Sequence, residues 1–247
     1  INEFAALSEN EIENMGLRAR SLSDIKLAKA DMDSEKKVFE VRDLTVKLGN
    51  KTILDDVSFR VSGGEIVAIT GENGAGKTTL ARALCGLNGE IGTVSLGNEI
   101  LSSKRRREGS YMVMQDVGHQ LFTDSVDAEC SLGVAKTVKE NIDEVLTLLS
   151  LSKLKEKHPL SLSGGQKQRL AVAVSMLCGK EILIFDEPTS GLDFDSMNEV
   201  GALIKRLAEE GKIIIIITHD REFIQMICSR VMVLESGKIR NSFKEDL

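Results

Sequence analysis

The 247-residue sequence contains very few aromatic residues: they occupy 4% of its positions, and tryptophan is absent. Proteins that hold single-stranded nucleic acid stack the bases on aromatic rings, and this composition offers no such platform. The formal net charge of −6 also argues against a broad nucleic-acid-binding surface. We therefore expect no nucleic acid among the partners. The one basic run, residues 104–107, is expected to be a solvated hairpin or loop.

Cysteine and histidine are also scarce, with four and three residues respectively. The cysteines form no CxxC pair, so we expect reduced thiols rather than a disulfide framework or a zinc site. The longest purely aliphatic run, Ile213–Ile217, is far too short to span a bilayer. We expect any membrane role to depend on docking onto another chain.

The order of the periodic segments predicts an α/β fold. Residues 38–61 are rich in β-branched residues and alternate as strands do. Short strands are also expected between residues 90 and 114, and a helical period runs through 126–154. Continuous aliphatic strands separated by helices in the second half indicate a parallel sheet covered on both faces. The elements predicted there are strands at 182–185, 213–217 and 231–234 and helices at 166–177, 196–210 and around 222–228.

A glycine-rich loop follows an apolar segment and precedes a segment that is typical of a helix. Its residues are Gly71, Glu72, Asn73, Gly74, Ala75, Gly76, Lys77 and Thr78, which match the P-loop pattern G-x-x-x-x-G-K-[ST] in its expected context. The glycines allow backbone N–H groups to turn around a phosphate, and the helix N-terminus adds its positive dipole. Lys77 is expected to reach the β- and γ-phosphates, and the Thr78 hydroxyl to ligate Mg²⁺. The sequence therefore predicts binding of a nucleoside triphosphate.

Two further segments are suited to act on such a ligand. Asp186 and Glu187 follow an aliphatic strand, at the edge where parallel sheets bind ligands. Asp186 is expected to hold Mg²⁺, and Glu187 to act as general base on the attacking water. The second segment consists of Ser163, Gly164, Gly165 and Gln166. It precedes an amphipathic helix and predicts an N-cap with exposed N–H groups, which is a second anion site.

The P-loop, the Leu-Ser-Gly-Gly-Gln segment at 162–166 and the strand ending in Asp-Glu-Pro, in this order, resemble the ATP-binding cassette (ABC) family. The resemblance covers roughly residues 38–240. It implies a P-loop NTPase ABC cassette with a parallel RecA-like core, an antiparallel β-subdomain and a helical subdomain at about 124–165. We accordingly divide the chain into a leader or linker from a preceding region, 1–37, and a cassette, 38–247.

The resemblance also implies roles for residues outside the P-loop. Gln115 resembles the Q-loop glutamine that contacts Mg²⁺ and the attacking water, and His219 resembles the switch histidine that contacts the γ-phosphate. Asp193 ends a segment, 190–193, that resembles the D-loop. Leu48 occupies the position where family members often stack an aromatic ring on adenine, so we expect weaker adenine selectivity, with GTP open beside ATP. The predicted nucleotide site also includes Thr79; its catalytic residues are Glu187, His219 and Gln115, and its metal ligands are Thr78, Gln115 and Asp186.

In this family two cassettes pair head to tail, so that Ser163, Gly164 and Gly165 of one touch the γ-phosphate bound at Lys77 of the other. Loss of that phosphate weakens the bridge and opens the dimer, which converts chemistry into motion. The resemblance thus implies an ATP-hydrolysing subunit of an ABC transporter at the cytoplasmic face of the cell membrane, with ATP and Mg²⁺ as cofactors. Its implied partners are a second cassette, either fused or another copy, and an integral membrane transport subunit that docks through the Q-loop region.

Finer details suggest which kind of ABC protein this is. Residues 112–116, 119–122 and 175–181 resemble the energy-coupling factor and cobalt-type ATPases, in which two cassettes are often fused. Because the chain begins with Ile1, we hypothesise that it is the second cassette of such a protein, and we expect import of a small solute such as a vitamin or a metal ion. Two alternatives stay open: a soluble ABC ATPase that acts on ribosomes or DNA, and a degenerate cassette that binds nucleotide without hydrolysing it.

Overall fold

The computed structural model describes residues 37–133 and 142–243. The predicted leader lies outside this range apart from Lys37, and so does the middle of the segment predicted to be helical between 126 and 154. The strands are β1 (Val38–Leu48), β2 (Lys51–Ser62), β3 (Ile66–Thr70), β4 (Glu90–Leu96), β5 (Glu99–Ile100), β6 (Ser110–Val113), β7 (Ile182–Asp186), β8 (Ile213–Ile217), β9 (Arg230–Glu235) and β10 (Lys238–Phe243). The helices are α1 (Lys77–Leu84), α2 (Ser103–Gly109), α3 (Val126–Ser131), α4 (Ile142–Leu148), α5 (Gly164–Leu177), α6 (Phe194–Glu209) and α7 (Arg221–Ile227).

The central sheet has six strands in the order β10-β9-β3-β8-β7-β6. Five of them are parallel, and β10 pairs with β9 in the antiparallel sense. Every residue of β3, β7 and β8 is buried, as expected for parallel strands covered on both faces. The predicted parallel sheet is therefore confirmed, and its central strands end together at one carboxyl edge.

The two faces of this sheet are covered by different parts of the chain. Ile213, Ile215 and Ile217 of β8 pack with α1 and a four-stranded antiparallel sheet, β2-β1-β4-β5. Ile214 and Ile216 pack with the helices α3 to α7 on the opposite face. Because side chains alternate across a strand, a run of isoleucines can fill both cores at once.

The described part of residues 124–165, the predicted helical subdomain, contains α3, α4 and two short 3₁₀ turns, Ser152–Leu154 and Pro159–Ser161. Ile142, Val145 and Leu146, which lie on one face at helical spacing, are buried, as the helical period predicted for 126–154 requires. None of the helices within the described residues has the length and hydropathy needed to cross a membrane. The boundaries of the subdomain, about 124–165, and of the leader stay predictions.

The basic run at 104–107 was expected to be a loop, and this prediction is wrong. It forms helix α2, which begins after Ser102, whose hydroxyl accepts a hydrogen bond from the backbone N–H of Arg105 at 3.3 Å. Arg106 is only 2% exposed. Its guanidinium pairs with Glu90 at the start of β4 and donates to the carbonyl of Ala83 at 3.0 Å. The N-cap and this buried ion pair make the charged segment helical.

Removal of the Arg106 side chain is expected to destabilise the protein strongly. An Arg106→Ala change leaves the Glu90 carboxylate buried without its partner, which costs about 3–5 kcal/mol. Arg105→Ala, on the same helix, is the matched control: its ion pair with Glu99 is exposed and is worth roughly 0–1 kcal/mol. Urea unfolding followed by circular dichroism measures both. Equal unfolding midpoints for the two variants would contradict the assignment.

Candidate active site

The glycine-rich loop joins the carboxyl end of β3 to α1. Gly71 has φ of 152°, and a methyl group added there would lie 2.1 Å from the carbonyl oxygen of Leu234 in β9. Gly74 and Gly76 have φ of 84° and 105°, which favour glycine. Gly76 is also the N-cap of α1 and provides no side-chain hydrogen bond. The first N–H groups of the helix are therefore left for a ligand, and an anion suits them.

Lys77 lies across this loop. Its ammonium group donates hydrogen bonds to the carbonyl oxygens of Gly71 at 2.7 Å and Glu72 at 3.0 Å. The Ile53 side chain of β2 packs against the other side of the loop, with Cγ2 3.3 Å from where a Cβ on Gly76 would lie. The loop is thus held by its own lysine and by the antiparallel sheet.

The side chain of Thr78, in the first turn of α1, contacts that of Asp186, the last residue of β7. The Thr78 hydroxyl donates to the Asp186 carboxylate at 2.9 Å, and Asp186 is 2% exposed. One hydroxyl and one carboxylate fit Mg²⁺, which takes few protein ligands and completes its shell with phosphate and water. Within the described ranges, no cluster of three or more His, Cys, Asp or Glu residues could hold a metal by itself. The donor set therefore fits a magnesium ion that arrives with phosphate.

The buried Asp186 should make the nucleotide-free protein less stable. Burial raises the pKa of this carboxyl; the nearby Glu187 adds to the shift, and Thr78 and Lys77 oppose it. Between the ordinary and the raised pKa the folded state binds more protons than the unfolded state, so stability falls as the pH rises through this window. At neutral pH, Asp186→Asn is therefore expected to raise the thermal midpoint without nucleotide, and the gain should vanish below the ordinary carboxyl pKa. Calorimetry at both pH values measures this, and a lower midpoint at neutral pH would contradict it.

Glu187 stands next to Asp186 but is held in a different way. Its backbone has φ of 53°, a conformation that costs a non-glycine residue about 1–3 kcal/mol. Its carboxylate accepts from the Thr218 hydroxyl at 3.1 Å through Oε2, and its Oε1 lies 2.8 Å from Nδ1 of His219. The backbone N–H of Glu187 donates to Ile217 at 2.8 Å. The predicted base and switch histidine are thus in direct contact at the end of β7 and β8.

Other predicted residues lie around this centre. Gln115 is exposed and follows β6, at the same carboxyl edge. In the part of the chain that the structure describes, no hydrogen bond joins its side chain to Thr78 or Asp186. Leu48 ends β1 and is 53% exposed. The contact of Leu48 with the adenine ring stays a prediction.

The segment 163–166 begins helix α5 as predicted. Ser163 Oγ accepts from the Gln166 N–H at 3.3 Å, and Gln166 Oε1 accepts from the Ser163 N–H at 3.0 Å, which together form a capping box. The Leu192 side chain lies 3.3 Å from where a Cβ on Gly165 would lie. Asp193 accepts from the Ser196 N–H at 2.8 Å and caps α6. The segment and the predicted D-loop therefore lie side by side.

The sequence motifs assign no role to three buried residues of the site, Thr189, Thr218 and Asp220. Thr189 Oγ1 donates to Asp220 at 2.7 Å, and Thr218 contacts Glu187 as described above. Their sequence signal is weak, because each is a common polar residue after a strand or a turn. Only their position beside Glu187 and His219 could have drawn attention to them.

The parallel sheet, the P-loop and the acid pair at one edge together define a P-loop nucleoside triphosphatase. Residues 54–190 match the sequence model of the family described as ABC transporter. A putative ABC transporter ATP-binding protein of Treponema denticola is 62% identical over 246 residues, which are 97% of this chain and 50% of that protein. The chain belongs to the ABC transporter family.

Solved structures agree with this fold. The ATP-binding subunit of an ABC transporter superposes with a TM-score of 0.77 at 23% identity, covering 85% of this chain and 90% of that one. The protein cbiO1 of Clostridium perfringens, described as part of the ABC transporter complex cbiONQ, gives 0.73 at 29% identity, covering 84% and 88%. The predicted ABC cassette fold is thereby confirmed. The chain spans about half the length of the curated relatives it matches.

Proposed function

We propose that this cassette works within an ABC transporter, where it binds and hydrolyses ATP against a second cassette and so drives a membrane subunit. The observation that carries the proposal is the meeting of Thr78, Asp186, Glu187 and His219 at one edge of the sheet. There the P-loop N–H groups and Lys77 bind the triphosphate. The carboxylate of Glu187 takes a proton from the attacking water, and His219 orients that carboxylate.

The metal in this proposal is Mg²⁺, held by Thr78 and Asp186. Gln115, which follows β6, is the third proposed ligand. When bound, Mg²⁺ neutralises charge on the phosphate oxygens. Thr78 already donates to Asp186, so little rearrangement of the two side chains is needed.

A second cassette is proposed because segment 163–166 presents free N–H groups. The capping box uses the N–H groups of Ser163 and Gln166 and leaves those of Gly164 and Gly165, and Gly164 is exposed. A helix N-terminus carries about half a positive charge, which favours the γ-phosphate of a partner's nucleotide. The double length of the relatives supports a fused pair of cassettes. We place this chain second in that pair as part of the proposal.

The membrane partner is proposed to dock beside the Q-loop. There the Phe122 ring is 70% exposed, while the backbone that carries it is fixed. The buried Glu129 carboxylate accepts from the N–H groups of Phe122 at 3.0 Å and Thr123 at 2.9 Å. The Gln120 side chain in turn donates to Met112 at 2.7 Å. An apolar side chain on a rigid loop suits a short helix of a membrane subunit at the cytoplasmic face of the membrane.

The type of transporter is proposed on the likeness to cbiO1, which at 29% identity supports the energy-coupling factor and cobalt-type group. We propose import of a vitamin or a metal ion on the resemblance of residues 112–116, 119–122 and 175–181 to that group. The alternative, a soluble ABC ATPase that acts on ribosomes or DNA, is favoured by no contact in the described residues.

Docking is tested by substitution of the exposed ring in the full-length protein. Phe122→Asp is expected to reduce co-purification with the detergent-solubilised membrane subunit by about tenfold or more, because a buried aromatic anchor is lost at the interface. Ile100→Asp is the matched control, since Ile100 is 72% exposed on the antiparallel sheet. ATP binding should be unchanged in both variants. Sedimentation of the wild-type protein with ribosomes instead of membranes would support the alternative.

A further inference from the structure

We propose that Thr189 is a positioning residue for ATP hydrolysis, which acts through Asp220 and Thr218 on the carboxylate of Glu187. The inference rests on the proposed role of Glu187 as general base. It adds a buried hydroxyl that belongs to neither the P-loop nor the acid pair.

A continuous path of hydrogen bonds joins Thr189 to Glu187. Thr189 Oγ1 donates to Asp220 Oδ2 at 2.7 Å, and the Asp220 backbone N–H donates to Thr218 Oγ1 at 3.1 Å. Thr218 Oγ1 then donates to Glu187 Oε2 at 3.1 Å. Thr189, Thr218 and Asp220 are 1%, 0% and 4% exposed. Hydrogen bonds among buried groups are costly to break, so the path fixes its members firmly.

The direction of each bond follows from the donors available. A threonine hydroxyl has one proton, and the N–H of Asp220 occupies an acceptor site on Thr218, so the proton of Thr218 is directed at Glu187. Asp220 is held at its other oxygen too, because Oδ1 accepts from the Phe223 N–H at 3.3 Å and caps α7. Asp220 is therefore a fixed relay between the two threonines.

This arrangement gives the two oxygens of Glu187 different tasks. Oε2 is anchored from inside the protein by Thr218. Oε1 faces His219, whose side chain is 79% exposed, and is the oxygen that can turn to a water molecule. The anchored Oε2 sets the direction of Oε1, and small errors in this direction lower the rate of proton transfer strongly.

Thr189 also joins this path to the segment that resembles the D-loop. The Ser190 N–H donates to the carbonyl of Glu187 at 3.1 Å, and the Leu192 N–H donates to that of Thr189 at 3.1 Å. The same turn thus carries Glu187 at its start and Leu192 at its end, and the Leu192 side chain lies 3.3 Å from where a Cβ on Gly165 would lie. The carboxylate is held both from the turn and from the β8 side.

The test uses Thr189→Val in the full-length protein, because valine keeps the shape and removes the hydroxyl. We expect kcat for ATP hydrolysis to fall by about 10- to 100-fold with KM for ATP within about twofold, because geometry is lost and binding is not. Thr189→Ser should restore most of the rate. Ser175→Ala is the matched control: its hydroxyl is also 1% exposed and donates to Val172, away from the path, so kcat should stay unchanged.

A double variant separates positioning from general damage. In a Glu187→Gln background, Thr189→Val is expected to lower the single-turnover rate little further, because both changes act on one carboxylate. An equal loss in both backgrounds, a wild-type rate in Thr189→Val, or a rise in KM alone would overturn the inference. If Thr189→Val does not fold, urea unfolding will show it. Thr218→Val then decides, and a full rate of hydrolysis in that variant overturns the inference. A full rate in Glu187→Gln alone instead refutes the proposed base.

Discussion

Replacement of Glu187 by glutamine is expected to lower the rate of ATP hydrolysis by about 10²–10⁴-fold, while ATP still binds. Glutamine has the same shape and can still accept from Thr218 and contact His219, so the fold around it should persist. It cannot take a proton from water at neutral pH. The loss should therefore fall on kcat and spare the affinity for ATP.

The measurement is single-turnover hydrolysis by the assembled pair of cassettes, together with equilibrium ATP binding. Glu181→Gln is a suitable control, because Glu181 precedes the same strand at the opposite edge and its side chain makes an exposed ion pair with Lys37. A rate close to wild type in Glu187→Gln would refute the role of base. A loss of the same size in the control would point to damage of β7 instead.

Replacement of Lys77 by methionine is expected to weaken ATP binding by roughly 10- to 100-fold. A hydrogen bond between charged groups is worth about 1.5–3 kcal/mol, and each 1.4 kcal/mol changes the affinity about tenfold. Methionine keeps the apolar stem but loses the ammonium group that lies across the loop and contacts Gly71 and Glu72.

Titration calorimetry with a slowly hydrolysed ATP analogue measures this effect. Lys37→Met serves as control, because Lys37 is an exposed lysine before β1 that pairs with Glu181. Unchanged affinity in Lys77→Met would count against the phosphate contact, whatever the effect on hydrolysis. The ratio of ATP to GTP affinity, measured at the same time, tests the expectation for Leu48.

Much of the fold could be predicted because its signals are local. Strands β3, β7 and β8 are continuous aliphatic runs, and the predicted bounds of β8, residues 213–217, agree with the structure. Helix α2 was missed because a charge run favours solvent unless a partner is present, and the partner, Glu90, comes from another strand. Strand β10 was missed as well; it depends on antiparallel pairing with β9.

The residues of the candidate site also fall into two groups, those that local sequence motifs identify and those that only the folded chain brings together. The P-loop and the acid pair were found because spacing and flanking strands identify them. The path from Thr189 through Asp220 and Thr218 to Glu187 could not be found, because its first and last hydrogen bonds each join residues 31 positions apart. Burial of common residue types is a property of the folded chain and leaves little trace in the order of residues.

The position of β8 between β3 and β7 gives the site a fixed width. Neighbouring strands lie about 4.8 Å apart, so the two strands that carry the P-loop and the acid pair are held about 9–10 Å apart. The backbone of β8 is bonded on both sides at this point: Ile217 accepts from Glu187, and the N–H of Thr218 donates to Ile69. β8 therefore acts as a spacer between the two strand ends, and we expect the gap between them to stay constant through the proposed hydrolysis cycle. Movement during the cycle must come from the elements around this frame.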